Sequence, residues 1–129
     1  MHSSRFIALL AAGATALVIS AVAVASAGLP GRYETTIRQP QQLKGTWVLT
    51  FGQRSTYMVA VNGHPVARGR YSTTRTTVTF AREQGSGCTG AGTYTWKKSG
   101  KVVTFVRKRE SPSCQARAAV LAHRFTQVR

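Results

Sequence analysis

Residues 92–105 read GTYTWKKSGKVVTF. Tyr94 and Trp96 before a Lys98-Ser99-Gly100 turn, and Val103 and Phe105 after it, occupy every second position, which is the pattern of two strands sharing one buried face. The opening Gly-x-aromatic recurs at Gly69-Arg70-Tyr71 and Gly45-Thr46-Trp47, so the three copies begin 24 and 23 residues apart. An interval of about 24 residues accommodates two strands and two turns, so each copy is read as one β-hairpin. The glycine marks where a strand starts close to its neighbour or bends around a corner. The aromatic residue two positions on points inward. Gly31-Arg32-Tyr33 reads as a degenerate fourth copy that opens a short strand, RYETTIR.

The rhythm extends in both directions. Trp47, Leu49 and Phe51 alternate with Thr46, Val48 and Thr50, and Tyr57, Val59 and Val61 alternate up to Asn62-Gly63, the strongest short-range signal for a hairpin turn. A further run leaves after Pro65, and TTVTF follows at Thr76 to Phe80. After Val106 the pattern changes: SPSCQARAAVLAH joins a Ser-Pro start to good helix formers and predicts a short helix over about Ser113 to Leu121. HRFTQVR is the last strand. The chain is therefore read as all-β, a small antiparallel up-and-down barrel of about eight strands with one short C-terminal helix. Residues 28–43 form an N-terminal segment with a weak strand and residues 44–129 the barrel. Closure buries the apolar face and removes free sheet edges.

At the N-terminus, Arg5 precedes an apolar and small-residue run from Phe6 to Val24, and Ala25-Ser26-Ala27 follows. This predicts a secretory signal peptide removed after Ala27 and an extracellular mature protein without a transmembrane segment. A membrane anchor is the alternative for a run of this length. Cys88 and Cys114 are the two cysteines, and in an oxidising compartment they join most simply to each other. Closing that loop contributes about 3.5 kcal/mol by chain entropy. Redox or metal roles need C-x-x-C spacing or further ligands, and neither occurs.

The sequence carries 18 Lys and Arg against three acidic residues, all Glu, for a net charge of +15. Such a balance attracts polyanions and keeps copies apart in solution. The excess of Arg over Lys, 13 to 5, is equally accounted for by the codon usage of a GC-rich genome.

LKGTWVLTF, with Gly45 and Trp47 in the first long strand, resembles the Gly-x-Trp opening of the lipocalin and avidin group of barrels, and a late helix followed by a strand is similar to lipocalin organisation. The resemblance implies a small bacterial secreted lipocalin-like (calycin) domain. It also implies that Trp47 closes one barrel end beneath an Arg from a late strand, Arg124, with Arg117 as second candidate. It implies no particular ligand.

The inventory points away from an enzyme. A Ser-His-Asp triad lacks its Asp. Glu34, Glu83 and Glu110 fall at strand ends or in loops beside charged residues, a poor setting for paired-carboxylate hydrolysis. His64 reads as a turn residue and His123 as a cap or packing residue, with no metal-ligand spacing. No catalytic residue, metal or cofactor is assigned.

Three functions from different classes fit these features. The first is binding of a small apolar or amphipathic ligand inside the barrel, whose inward set is Trp47, Leu49, Phe51, Tyr57, Val59, Val61, Tyr71, Val78, Phe80, Tyr94, Trp96, Val103, Phe105 and Phe125. The pocket candidates among them are Trp47, Phe51, Tyr57, Tyr71, Phe80, Tyr94, Trp96 and Phe105, and these rings serve equally to fill the interior. The second is attraction of an anionic cell-envelope polymer by Lys97, Lys98, Lys101, Arg107, Lys108 and Arg109; Arg68, Arg70 and Arg75 form another basic group. A solvated exterior explains the same charges. The third is inhibition of a secreted protease or other secreted enzyme through the Gly-rich loop around Cys88. Specific nucleic-acid binding is not expected, because no RNP-type or helix-turn-helix signature occurs.

Overall fold

A computed structural model describes residues 28–129 together with Gly13 and Thr15. The predicted signal segment and its cleavage point otherwise lie outside the described residues. Eight antiparallel strands form a closed up-and-down barrel: β1 (Gly31–Ile37), β2 (Gly45–Phe51), β3 (Thr56–Val61), β4 (His64–Thr73), β5 (Thr77–Gln84), β6 (Gly92–Ser99), β7 (Val102–Arg109) and β8 (Phe125–Val128). Each strand pairs with its sequence neighbours. The seam is closed by β1 against β8, with Arg32 opposite Val128. The all-β barrel expected from the alternation is the observed fold.

The repeat interval corresponds to the hairpins β2–β3, β4–β5 and β6–β7. Asn62 and Gly63 have positive φ, 49° and 80°, as a two-residue hairpin turn requires. Gly45 and Gly92 start their strands, but Gly69 lies in the middle of β4, which is longer than its repeat phase suggests. Residues 28–43, set apart in the sequence reading, belong to the barrel: β1 pairs along its whole length with β2, and Leu29, Tyr33 and Ile37 are buried in the core. The predicted helix is present in shortened form, as a 3₁₀ turn at Pro112–Cys114 followed by α1 (Gln115–Leu121). Cys88 and Cys114 form a disulfide that ties the β5–β6 loop to the start of α1. Among the described residues no helix is long and apolar enough to cross a membrane.

The predicted inward set is buried apart from Trp47, Val59 and Val61, which are half-buried. The middle of the barrel is filled. Phe51 meets Tyr71 edge-on with ring centroids 4.8 Å apart and lies 5.9 to 6.3 Å from Phe80, Tyr33 and Phe105. Offset and edge-to-face contacts of this kind add stabilisation beyond the apolar area they remove from water.

One end of this stack is closed by rings and backbone carbonyls. Tyr33 donates its hydroxyl to the Gly28 carbonyl at 2.9 Å, Tyr71 to that of Gly52 at 2.7 Å, and Trp96 Nε1 to those of Thr77 and Thr74 at 3.2 and 3.3 Å. Lys98 Nζ also donates to Gly28, at 2.8 Å, and sits 5.6 Å from the Tyr33 ring centroid. The other end lies beneath the disulfide and α1.

Candidate functional site

At the α1 end two carboxylates enter the barrel because the sheet slips register. Inward positions on β5 run Val78, Phe80, and simple alternation would put Arg82 next. Instead Arg68 pairs with Gln84 and Arg70 with Ala81, so Arg82 and Glu83 together oppose Gly69. This is a β-bulge, with Arg82 at φ 53°. It leaves Arg82 exposed and turns Glu83 inward, where its side chain is 4% exposed. A second slip, between Thr93 and Tyr94 on β6, shifts the end of β7 in the same way. Lys108 is the extra residue, so Arg109 falls outside opposite Thr93, and the Glu110 side chain is 1% exposed.

Two of the repeat glycines make room for these groups. A Cβ at Gly69 would stand 2.8 Å from the Tyr57 hydroxyl and from the Ala81 carbonyl, and one at Gly92 would collide with the Glu110 carboxylate.

The cation between the two acids is Arg117. Arg117, Val120 and Leu121 share the i, i+3, i+4 face of α1 that turns into the barrel, and all three are buried. The guanidinium holds Glu110 in a two-point pair, Nε to Oε2 at 3.0 Å and Nη2 to Oε1 at 2.6 Å. Nη2 also donates to the Gly90 carbonyl at 2.9 Å, which fastens the β5–β6 loop, and the guanidinium carbon lies 5.9 Å from the Phe80 centroid. Nη1 is buried without a hydrogen-bond partner; its nearest charge is Glu83 Oε1, at 3.7 Å.

Glu83 accepts hydrogen bonds from Tyr57 OH, at 2.7 Å, and from Ser86 Oγ. Glu110 accepts from Tyr94 OH and from the Ser111 N–H at 2.9 Å. Burial, reinforced by the hydrogen bond each donates to a carboxylate, pushes Tyr57 and Tyr94 well above the usual tyrosine range, so both are donors at neutral pH. Burial works against an ionised Glu110, but the bonds from Arg117, Tyr94 and Ser111 outweigh it and hold the carboxyl below its ordinary value. Burial likewise opposes the charge on Arg117, and Glu110 more than compensates.

Beside this network is a cavity of about 230 Å³. Trp47, Leu49, Val59, Val66, Phe80, Val120, Leu121 and Phe125 supply its apolar wall, Tyr57, Glu83 and Arg117 its polar side, and the Cys88–Cys114 disulfide its rim. The eight rings proposed as pocket residues thus divide. Trp47, Tyr57 and Phe80 line the cavity, whereas Phe51, Tyr71, Tyr94, Trp96 and Phe105 belong to the packed core.

No protein-family model matches the chain, nor does any curated protein or solved structure. The site is therefore read from its own residues.

The arginine expected above Trp47 falls differently from the first choice. Arg124 is exposed, and Arg117 is the buried arginine that shares the cavity wall with Trp47. Trp47 itself donates Nε1 to the Leu43 carbonyl, at 2.7 Å. The basic cluster on β6–β7 is split. Lys97, Lys98 and Lys101 stand at the closed end, while Arg109 pairs with Thr93 at the cavity end, with Arg107 and Lys108 beside it. That is about 15 Å along the strands at roughly 3.3 Å per residue. Lys98 is further occupied by the Gly28 carbonyl. Among the described residues, no three His, Cys, Asp or Glu side chains are grouped to hold a metal ion.

Glu83 and Glu110 are the members of this site that strand-end positions concealed, whereas Arg117 was already the second candidate for the arginine above Trp47. The signal for Arg117 was its helical spacing from Val120 and Leu121, which places it on the apolar face.

Proposed function

We infer that this is an exported, non-enzymatic lipocalin-like binding protein for a small apolar or amphipathic molecule. The observation that carries this reading is the cavity, because a barrel needing only to be stable would carry its aromatic stack through to this end as well. About 150 Å³ suffices for benzene, so about 230 Å³ corresponds to a ligand of roughly nine non-hydrogen atoms. The polar side of the wall supplies orientation and the apolar side supplies affinity. The disulfide is in keeping with an oxidising, extracytoplasmic compartment.

Trp47 lines the cavity and Trp96 does not, so the two tryptophans form a reporter and a control. Titration with propylbenzene is expected to change tryptophan emission saturably, to leave that response intact in Trp96→Phe, and to lose it in Trp47→Phe. A response that never saturates would end the reading. Binding of anionic cell-envelope polymers ranks second, because its strongest basic cluster is divided between the two ends of the barrel.

A further inference from the structure

We propose that the ligand is a small aromatic or aliphatic amine whose ammonium group pairs with Glu83. The proposal rests on the cavity reading and names the ligand's polar end. Arg117 and Glu110 already form a closed two-point pair, so the one cation near Glu83 among the described residues is shared with a second buried carboxylate and gives Glu83 an ion-pair contact but no hydrogen bond. Arg117 Nη1, at 3.7 Å, lies beyond hydrogen-bond reach and belongs to a guanidinium engaged with Glu110. Two hydroxyls occupy Glu83, and a carboxylate offers about four acceptor positions, so two remain.

A buried carboxylate short of a counter-ion is costly. Here it is also built in deliberately: a bulge with Arg82 at positive φ turns Glu83 inward, and Gly69 clears the space for the Tyr57 hydroxyl that steadies it. Bulges of this kind concentrate beside functional sites, where they re-aim a side chain. The chain has three acidic residues to set against 18 basic ones, and it places two of the three in the interior at the cavity end rather than on the surface.

Trp47 and Tyr57 also line the cavity, and aromatic rings attract a bound cation. The net positive charge of the molecule opposes entry of an amine, but that field is screened over about 8 Å at physiological ionic strength, and the contact with Glu83 inside the cavity is not. A carboxylate ligand would instead put a third negative charge, after Glu83 and Glu110, around one cation, Arg117.

Isothermal titration with four probes of matched size tests the assignment: phenethylamine, phenethyl alcohol, propylbenzene and phenylacetate. The expected order is amine first, alcohol and propylbenzene at least tenfold weaker, and phenylacetate last. In Glu83→Gln the amine is expected to fall to the level of the alcohol, with propylbenzene unchanged, which also shows that the variant keeps its fold and cavity. Propylbenzene or phenylacetate binding as tightly as the amine, or an amine preference that survives Glu83→Gln, would overturn the amine assignment and leave the cavity reading standing. Failure of all four probes to bind overturns both.

Discussion

The two ends of the barrel satisfy their buried polar atoms in opposite ways. At the closed end Tyr33, Tyr71 and Trp96 each hand one hydrogen to a backbone carbonyl, so their polar atoms are satisfied without a side-chain acceptor. At the cavity end Glu83, Glu110 and Arg117 depend on one another and on Tyr57 and Tyr94. A carbonyl acceptor belongs to a strand or turn already in place, so using it leaves ring shape free to fill the interior. A charge network instead fixes the positions of several side chains at once, and here an unfilled volume remains beside it. Close packing and the charge network with its void are thus divided along the barrel axis.

The largest test of this division is Phe51→Ala, which removes the ring around which the packed half is arranged. It is expected to lower unfolding free energy by about 3–5 kcal/mol in urea titrations. A loss below about 1 kcal/mol would mean that the stack is not the stabilising half.

Acid should act at the other end. Glu110 has a carboxyl held below its ordinary value of 4.5, so it contributes stability that is fully present above that pH and is lost as pH falls through the depressed folded-state value. Urea midpoints measured from neutral pH downward are expected to drop below about pH 4.5. Hydrogen exchange should rise first in α1 and the β5–β6 loop that Arg117 fastens. Uniform loosening of both ends would blur the comparison.

The smallest effect is expected from added volume. Ala67→Leu projects into the cavity and should change stability by less than about 1 kcal/mol while weakening propylbenzene binding, whereas Val103→Leu in the filled half should cost about 1–3 kcal/mol. Equal costs at the two positions would place the void elsewhere.

Most of the barrel was legible because period-2 alternation survives wherever one face is buried, as in Trp47, Leu49, Phe51 and again in Tyr94, Trp96. β1 was underweighted because Glu34, Thr35 and Thr36 dilute its apolar residues, Tyr33 and Ile37, and only pairing on both sides reveals it as a stave. Glu83 and Glu110 were hidden for a different reason. Register slips invert the inside-outside rule at those positions, so alternation predicts Arg82 and Arg109 inside where the slipped ladders leave them outside. Alternation does not record where a ladder slips. Nor does it record which end of a filled barrel retains a void, since that depends on how α1 docks.

The seam between β1 and β8 bears on how the molecule assembles. Glu34 and Thr126 face each other there across most of the described chain, whereas the hairpins join neighbours. Closure entropy rises with the length of the intervening segment, so this ladder has the least favourable nucleation and its formation follows the local hairpins. The Cys88–Cys114 link shortens that path by about a quarter, which eases closure by about 0.3 kcal/mol. Oxidation therefore fastens the β5–β6 loop to α1 while leaving the pace of zipping almost unchanged.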